Sequence, residues 1–203
     1  AAAGEGLDTV GFGFFFAPLC HPAMKHAAGP RRELGLRTVF NILGPLCNPA
    51  GAQAQVVGVY APELVDLVAA VLSLLGVKRA FVVHGAGGLD EVSPVGEALY
   101  AEVTGASVKR GVLDPLSYGI ERCSLAALKG GTAAENAAIT RRILQGETGP
   151  PTDAVALNAA LALVAAGMTN DIREGLQLAR RAIASGAAFA KMEEYVRWSR
   201  SVG

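Results

Sequence analysis

An α/β domain with a mostly parallel sheet is the fold class this sequence predicts, on three observations. A strand–helix–strand unit is legible between Ala54 and His84. A further strand follows at 98–103, and beyond Gly130-Gly131 the chain breaks into helical stretches that each stop at a glycine. Strand, helix and strand at this length form a βαβ unit, whose crossover is normally right-handed and whose strands are parallel.

The elements follow in order. The run AQVVGVY, 54–60, reads as a buried strand. In PELVDLVAAVLSLL, 62–75, Pro62 suits a first helical turn, Glu63 favours its positive end and Gly76 supplies a stop. RAFVVH, 79–84, is a second apolar strand, and ALYAEV, 98–103, a third. The later stretches AAENAAITRRILQ, TDAVALNAALALVAA and DIREGLQLARRAIAS end at Gly146, Gly167 and Gly186, the second with Asp153 as a possible cap. A last helix runs into Tyr195 and Trp198. Before the βαβ unit, Pro18, Pro22, Pro30, Pro45 and Pro49 divide 8–53 into short helices joined by turns.

Composition narrows the function classes. Lys plus Arg and Asp plus Glu each number 18, so no global charge excess points to nucleic acid or an anionic membrane. Cys20, Cys47 and Cys123 form no close pair, which argues against a zinc knuckle or disulfide framework and suggests buried thiols in a reducing compartment. The most apolar window, Ala154 to Ala166, contains Asn158 and is shorter than the roughly 20 residues a membrane span needs. The opening AAAGEGLDTV has no basic start, no secretory core and no initiator methionine, which suggests a processed chain or a piece of a longer one.

Two charged clusters are candidates for chemistry. FVVHGAGGLDE, 81–91, leaves the second strand through three glycines and ends in Asp90 and Glu91. Ligands of open α/β sheets gather at the carboxyl ends of strands. Adjacent carboxylates there can hold Mg²⁺, which takes one or two protein carboxylates and keeps positions for substrate phosphate. The alternative is a solvated turn whose acids cap the next segment. HPAMKHAAGPRRELGLR, 21–37, sets Lys25, Arg31, Arg32 and Arg37 against Glu33 alone. Arginine grips carboxylates with paired hydrogen bonds, so this patch suits an anionic substrate, or else is a basic solvated face. His21 suits a hydrogen-bond donor, and His84, at a strand end, a structural role. Ser73, Ser93, Ser117 and Ser124 lack the G-x-S-x-G context of a serine hydrolase.

The runs FFFAPLCHPAMKH, RRELGLRTVFNILGPLCNPA, QVVGVY, VVHGAGGLDEVSP and GGTAAENA, in this order and spacing, resemble the anthranilate phosphoribosyltransferase family. The resemblance implies transfer of the phosphoribosyl group of phosphoribosyl pyrophosphate to the amine of anthranilate, a step of tryptophan biosynthesis. It implies Mg²⁺ held by Asp90 and Glu91, and anthranilate bound by Arg31, with His21 and Met24 lining its channel and Gly44 and Pro45 against the ring. It further implies a small helical domain containing 21–46 and a large α/β domain containing 1–20 and 47–203. The whole protein would be a cytoplasmic or plastid homodimer with no membrane or nucleic-acid partner. The family's Gly-Thr-Gly-Gly-Asp phosphate loop and Lys-His-Gly-Asn run do not occur here. The expectation is a C-terminal portion, inactive by itself. The alternatives are a pyrimidine nucleoside phosphorylase-like enzyme and a non-catalytic relative that binds nucleic acid.

Overall fold

The computed structural model describes residues 2–15, 43, 44, 46–48 and 50–202. They fall into two compact units, one of Ala1–Gly51 with Ala190–Gly203 and one of Ala52–Phe189.

The larger unit is built on a four-stranded sheet in the order β1 (Ala54–Gly58), β2 (Arg79–His84), β3 (Ala98–Thr104), β4 (Ser107–Leu113). β1 and β2 are parallel, with Ala54 opposite Arg79 and Gly58 opposite Val83, and α2 (Leu64–Leu74) is their crossover. β2–β3 and β3–β4 are antiparallel, so the sheet of the described residues is mixed rather than mostly parallel. The reason is the connection. Between His84 and Ala98 the chain forms no crossover helix, only a single 3₁₀ turn at Ala86–Gly88, so it re-enters the sheet at the end it left. β3 then returns through Gly105-Ala106 into β4, a charged strand at the sheet edge that carries Lys109 and Arg110.

Both faces of the parallel pair are covered. Phe81 and Val83 of β2 pack with Ala156, Leu157, Ala160 and Leu161 of α4 (Pro150–Ala165). Ala80 and Val82 point to the opposite face, where α2 lies. That two-sided burial is why RAFVVH is a continuous apolar run. α4 is apolar nearly all round because α5 (Ile172–Ala184) covers it in turn. A Cβ on Gly175 of α5 would lie 2.9 Å from the Ala160 carbonyl oxygen, so these helices meet backbone to backbone.

Helix ends match the sequence at their glycines. After α2, Gly76 at φ +75° donates to Ser73 and Val77 to Leu72, a Schellman stop. Gly146 closes α3 (Ala133–Leu144) and Gly167 closes α4 with the same bonds. α3 starts with a capping box between Thr132 and Glu135. The start of α4 differs from expectation. Gly149 is the N-cap, Pro150 and Pro151 open the first turn, and Asp153 pairs with Arg180 at 2.8 Å instead of capping. α2 likewise begins at Leu64, with Glu63 as its N-cap.

The other unit holds α1 (Ala2–Val10), part of the region read as broken helices, and most of α6 (Ala187–Ser201). Gly6 lets α1 approach Trp198, whose ring lies 2.9 Å from a Cβ built there. Phe12 meets Tyr195 edge to face at 4.7 Å. Lys191 donates to the Val10 carbonyl at 2.9 Å, placing a cation at the negative end of α1. The expectation of buried thiols is not met. Cys47 is exposed, in the turn after the helical residues 43, 44 and 46, and Cys123 is half-buried, while Cys20 lies outside the described residues. No described helix is long and apolar enough to cross a membrane.

Phe81 is 1% exposed and packs on Tyr100 with ring centroids 5.8 Å apart. Phe81→Ala is expected to cost about 3–5 kcal/mol. A fall in the urea midpoint with an unchanged slope would show this.

Candidate active site

The candidate site lies at the carboxyl ends of β1 and β2. Local geometry follows from the glycines after His84. Gly85 bridges to Leu89, its N–H donating to the Leu89 carbonyl at 2.8 Å. Gly87 and Gly88, at φ +75° and +78°, make the tight reversal between them. Asp90 and Glu91 therefore run back over the strand ends. There the backbone contact is close enough to demand glycine. A Cβ on Gly58 would lie 1.6 Å from the Asp90 carbonyl oxygen, and one on Gly85 would lie 2.0 Å from that of Glu91. His84 joins the strand ends, its Nδ1 donating to the Val59 carbonyl at 2.8 Å, which is the structural role considered for it.

Both carboxylates are exposed, yet the next residues dive into the core: Val92 and Ser93 are each 0% exposed. Among the described residues neither acid makes an ion pair or a side-chain hydrogen bond. The chain after Glu91 is not helical, so the acids cap nothing. Of the alternative reading, the solvated turn is met and the capping is not. Partial burial, and then the charge of Asp90 beside it, raise the Glu91 pKa above the ordinary 4.5. Two oxygen-donor groups with an unrelieved like-charge repulsion fit a hard dication that takes one or two protein carboxylates and completes its shell from substrate and water. The described residues hold no cluster of three or more His, Cys, Asp or Glu, so a metal caged wholly by side chains is not built here.

Glu91 also stands at one side of an open groove of about 620 Å³, whose walls include Lys129, Asn136, Thr140 and Asn158. Lys129 is exposed and has no ion-pair partner among the described residues. Asn136 turns back on the Gly130-Gly131 loop, its Oδ1 accepting from Gly131 N–H at 2.8 Å. A Cβ on Gly130 would sit 2.4 Å from that Oδ1, so the glycine permits the bond.

Of the residues singled out from sequence, Asp90 and Glu91 are brought together at the strand ends. Arg31, His21, Met24 and Pro45 lie outside the described residues. Gly44 belongs to the unit of Ala1–Gly51, where its carbonyl accepts from Cys47 N–H at 3.3 Å. Sequence reading did not assign a role to Gly58 or Asn158. The signal for Asn158 was its place, a carboxamide within the most apolar stretch of the chain.

Comparison with known proteins gives the following. The family model for the glycosyl transferase family, a/b domain, matches residues 2–189. The anthranilate phosphoribosyltransferase of Pelotomaculum thermopropionicum is 56% identical over 198 residues, which are 98% of this chain and 57% of that protein. The crystal structure of anthranilate phosphoribosyltransferase from Thermus thermophilus is 48% identical with a TM-score of 0.90, covering 98% of this chain and 59% of that one. The Saccharomyces cerevisiae anthranilate phosphoribosyltransferase in complex with PRPP and Mg is 31% identical with a TM-score of 0.81, covering 89% of this chain and 52% of that one. The chain thus spans under three fifths of the length of the relatives it matches.

Proposed function

The chain belongs to the glycosyl transferase family whose a/b domain it matches, and on that premise we propose that it carries the metal site and part of the anthranilate site of an anthranilate phosphoribosyltransferase. The observation that carries the reading is the exposed acid pair at the ends of two parallel strands, uncapped and unpaired among the described residues, in a chain 56% identical over 198 residues to an enzyme of that name.

In the proposed reaction the bond from the ribose anomeric carbon to pyrophosphate breaks, a bond from that carbon to the anthranilate nitrogen forms, and the nitrogen releases a proton. Positive charge builds on the sugar and negative charge on the leaving group. Asp90 and Glu91 would hold Mg²⁺, which when bound neutralises charge on the diphosphate. Arg31 fixes the anthranilate carboxylate with two parallel hydrogen bonds, aiming the amine. His21 donates a hydrogen bond in the same channel, Met24 lines it, and Gly44 and Pro45 flank the ring. The amine is neutral before reaction, so positioning does much of the work, and no residue here needs to be a nucleophile. The division into a helical segment, 21–46, and an α/β domain of 1–20 and 47–203 is part of this proposal, as is a cytoplasmic homodimer for the whole protein.

The test is formation of phosphoribosylanthranilate by the complete protein from anthranilate, phosphoribosyl pyrophosphate and Mg²⁺, followed by loss of anthranilate fluorescence. Product formation that does not require Mg²⁺, or phosphorolysis of a pyrimidine nucleoside in its place, would refute the reading. Arg31→Ala is expected to raise KM for anthranilate roughly 10- to 150-fold, the equivalent of about 1.5–3 kcal/mol for a charged hydrogen bond, with little effect on KM for the other substrate.

A further inference from the structure

We propose that Asn158 of α4 is a positioning residue that holds Glu91 in the orientation needed to bind a divalent cation. The inference rests on the reading of Asp90 and Glu91 as the metal-holding pair.

Asn158 stands in the chain's most apolar stretch, flanked by Leu157, Ala160 and Leu161, each 0% exposed. Asn158 itself is half-buried at the wall of the groove, and a carboxamide partly withdrawn from water needs partners for its polar atoms. Two of the three hydrogen bonds they make go to the residue that follows Glu91. Oδ1 accepts from Val92 N–H at 3.1 Å, and Nδ2 donates to the Val92 carbonyl at 2.6 Å. The second amide hydrogen goes to the Ala154 carbonyl at 2.9 Å, one turn back on the same helix. Both donors and one acceptor position are thereby used.

This arrangement sets the amide's direction. Turning it over would face two carbonyl oxygens with Oδ1 and the Val92 N–H with an NH₂ group. Two contacts to one residue also fix more than one. The Val92 N–H belongs to the Glu91–Val92 peptide plane and the Val92 carbonyl to the next, so Asn158 sets the rotation of the chain as well as its place. The Glu91 carbonyl, in the first of these planes, is the atom that lies over Gly85. Glu91 is therefore held between Gly85 on one side and Asn158 on the other, with its carboxylate left exposed. Outer partners of this kind commonly govern metal affinity.

The probe is Mn²⁺ alone, titrated into the full chain, with the free ion read by electron paramagnetic resonance. Asn158→Leu is expected to weaken binding roughly 10- to 100-fold. Asn158→Asp is expected to weaken it too, because a carboxylate cannot donate to the Val92 carbonyl. If charge alone mattered, that variant would bind more tightly. Leu161→Ala, a core truncation on the same helix, serves as the stability control and is expected to leave the Mn²⁺ dissociation constant within about twofold. A role confined to holding the fold would instead move Leu161→Ala together with Asn158→Leu, in step with their loss of stability, and that result overturns the proposal. So does an unchanged affinity in Asn158→Leu.

Should the leucine variant not fold, exchange of the Val92 amide in the parent chain decides the clamp. Slow exchange is expected, and exchange at the rate of an open amide overturns it. Glu91→Gln separates the two readings. Mn²⁺ binding that is absent in the parent, or insensitive to Glu91→Gln, removes the metal-holding pair and this inference with it. Binding that responds to Glu91→Gln and not to Asn158→Leu removes this inference alone.

Discussion

Replacing Asp90 with Asn and Glu91 with Gln together is expected to lower the proposed Mg²⁺-dependent phosphoribosyl transfer on the order of 100-fold or more, without unfolding the protein. Loss of a mere outer partner of a metal ligand costs roughly 10- to 100-fold, and here the proposed ligands themselves lose their charge. The fold should tolerate the change, because both side chains are exposed and make no ion pair or side-chain hydrogen bond among the described residues. Stability should move slightly in the opposite direction to activity. Partial burial and then Asp90 hold the Glu91 carboxyl above its ordinary 4.5. A carboxyl whose pKa is raised on folding lowers stability above that raised value and has no effect below the unfolded one. Without divalent metal, the Glu91→Gln protein is therefore expected to be the more stable at neutral pH. The difference should close as pH falls from the raised pKa through 4.5. Thermal melts across pH, with and without Mg²⁺, check both signs. Full activity in the double variant would remove the acids from the mechanism.

Adding one methyl group beneath the acids should be nearly as damaging. In Gly58→Ala the new Cβ meets the Asp90 carbonyl oxygen at 1.6 Å and its carbon at 2.6 Å, and in Gly85→Ala it meets the Glu91 carbonyl oxygen at 2.0 Å. These are backbone atoms, so no rotamer change relieves the clash and the loop or the strand must shift. Overpacking of this kind costs about 1–3 kcal/mol and occasionally more. The functional effect is expected to exceed the loss of stability, because the atoms displaced belong to Asp90 and Glu91. Gly4→Ala is the control. It lies in α1 with nothing within 4 Å of the added Cβ, and is expected to be neutral or slightly stabilising. Melting temperature and Mg²⁺-dependent rate, measured together, test the pair. Wild-type rates in both site variants would show that the acids do not depend on this packing.

The legible parts of the fold were those that neighbours in the chain dictate. Gly76 ends α2 because the residue after a helix needs a left-handed conformation, and the same demand is met at Gly146 and Gly167. RAFVVH read as a strand because both of its faces are covered. Other elements gave weaker signals. Ser107–Leu113 carries Lys109 and Arg110 and is exposed along most of its length, so its pairing with β3, more than its own pattern, makes it a strand. α1 contains Gly4 and Gly6, both poor helix formers, and Gly6 offsets its cost by letting α1 pack closely against Trp198.

For the site, the sequence by itself determined the presence of two adjacent acids after a glycine loop at the end of a βαβ strand. Its long composite motifs resemble the anthranilate phosphoribosyltransferase family, and the broader glycosyl transferase a/b domain model matches residues 2–189. Only the tertiary structure decided that those acids are uncapped and unpaired among the described residues, that Gly58 and Gly85 make room for their carbonyls, and that Asn158 grips the next residue. The physical reason is distance along the chain. A helix stop is set by the conformational preference of one residue and its near neighbours. The bond from Val92 to Asn158 joins positions 66 residues apart. It exists only because α4 and the end of β2 are pressed into the same core, and no local pattern records that.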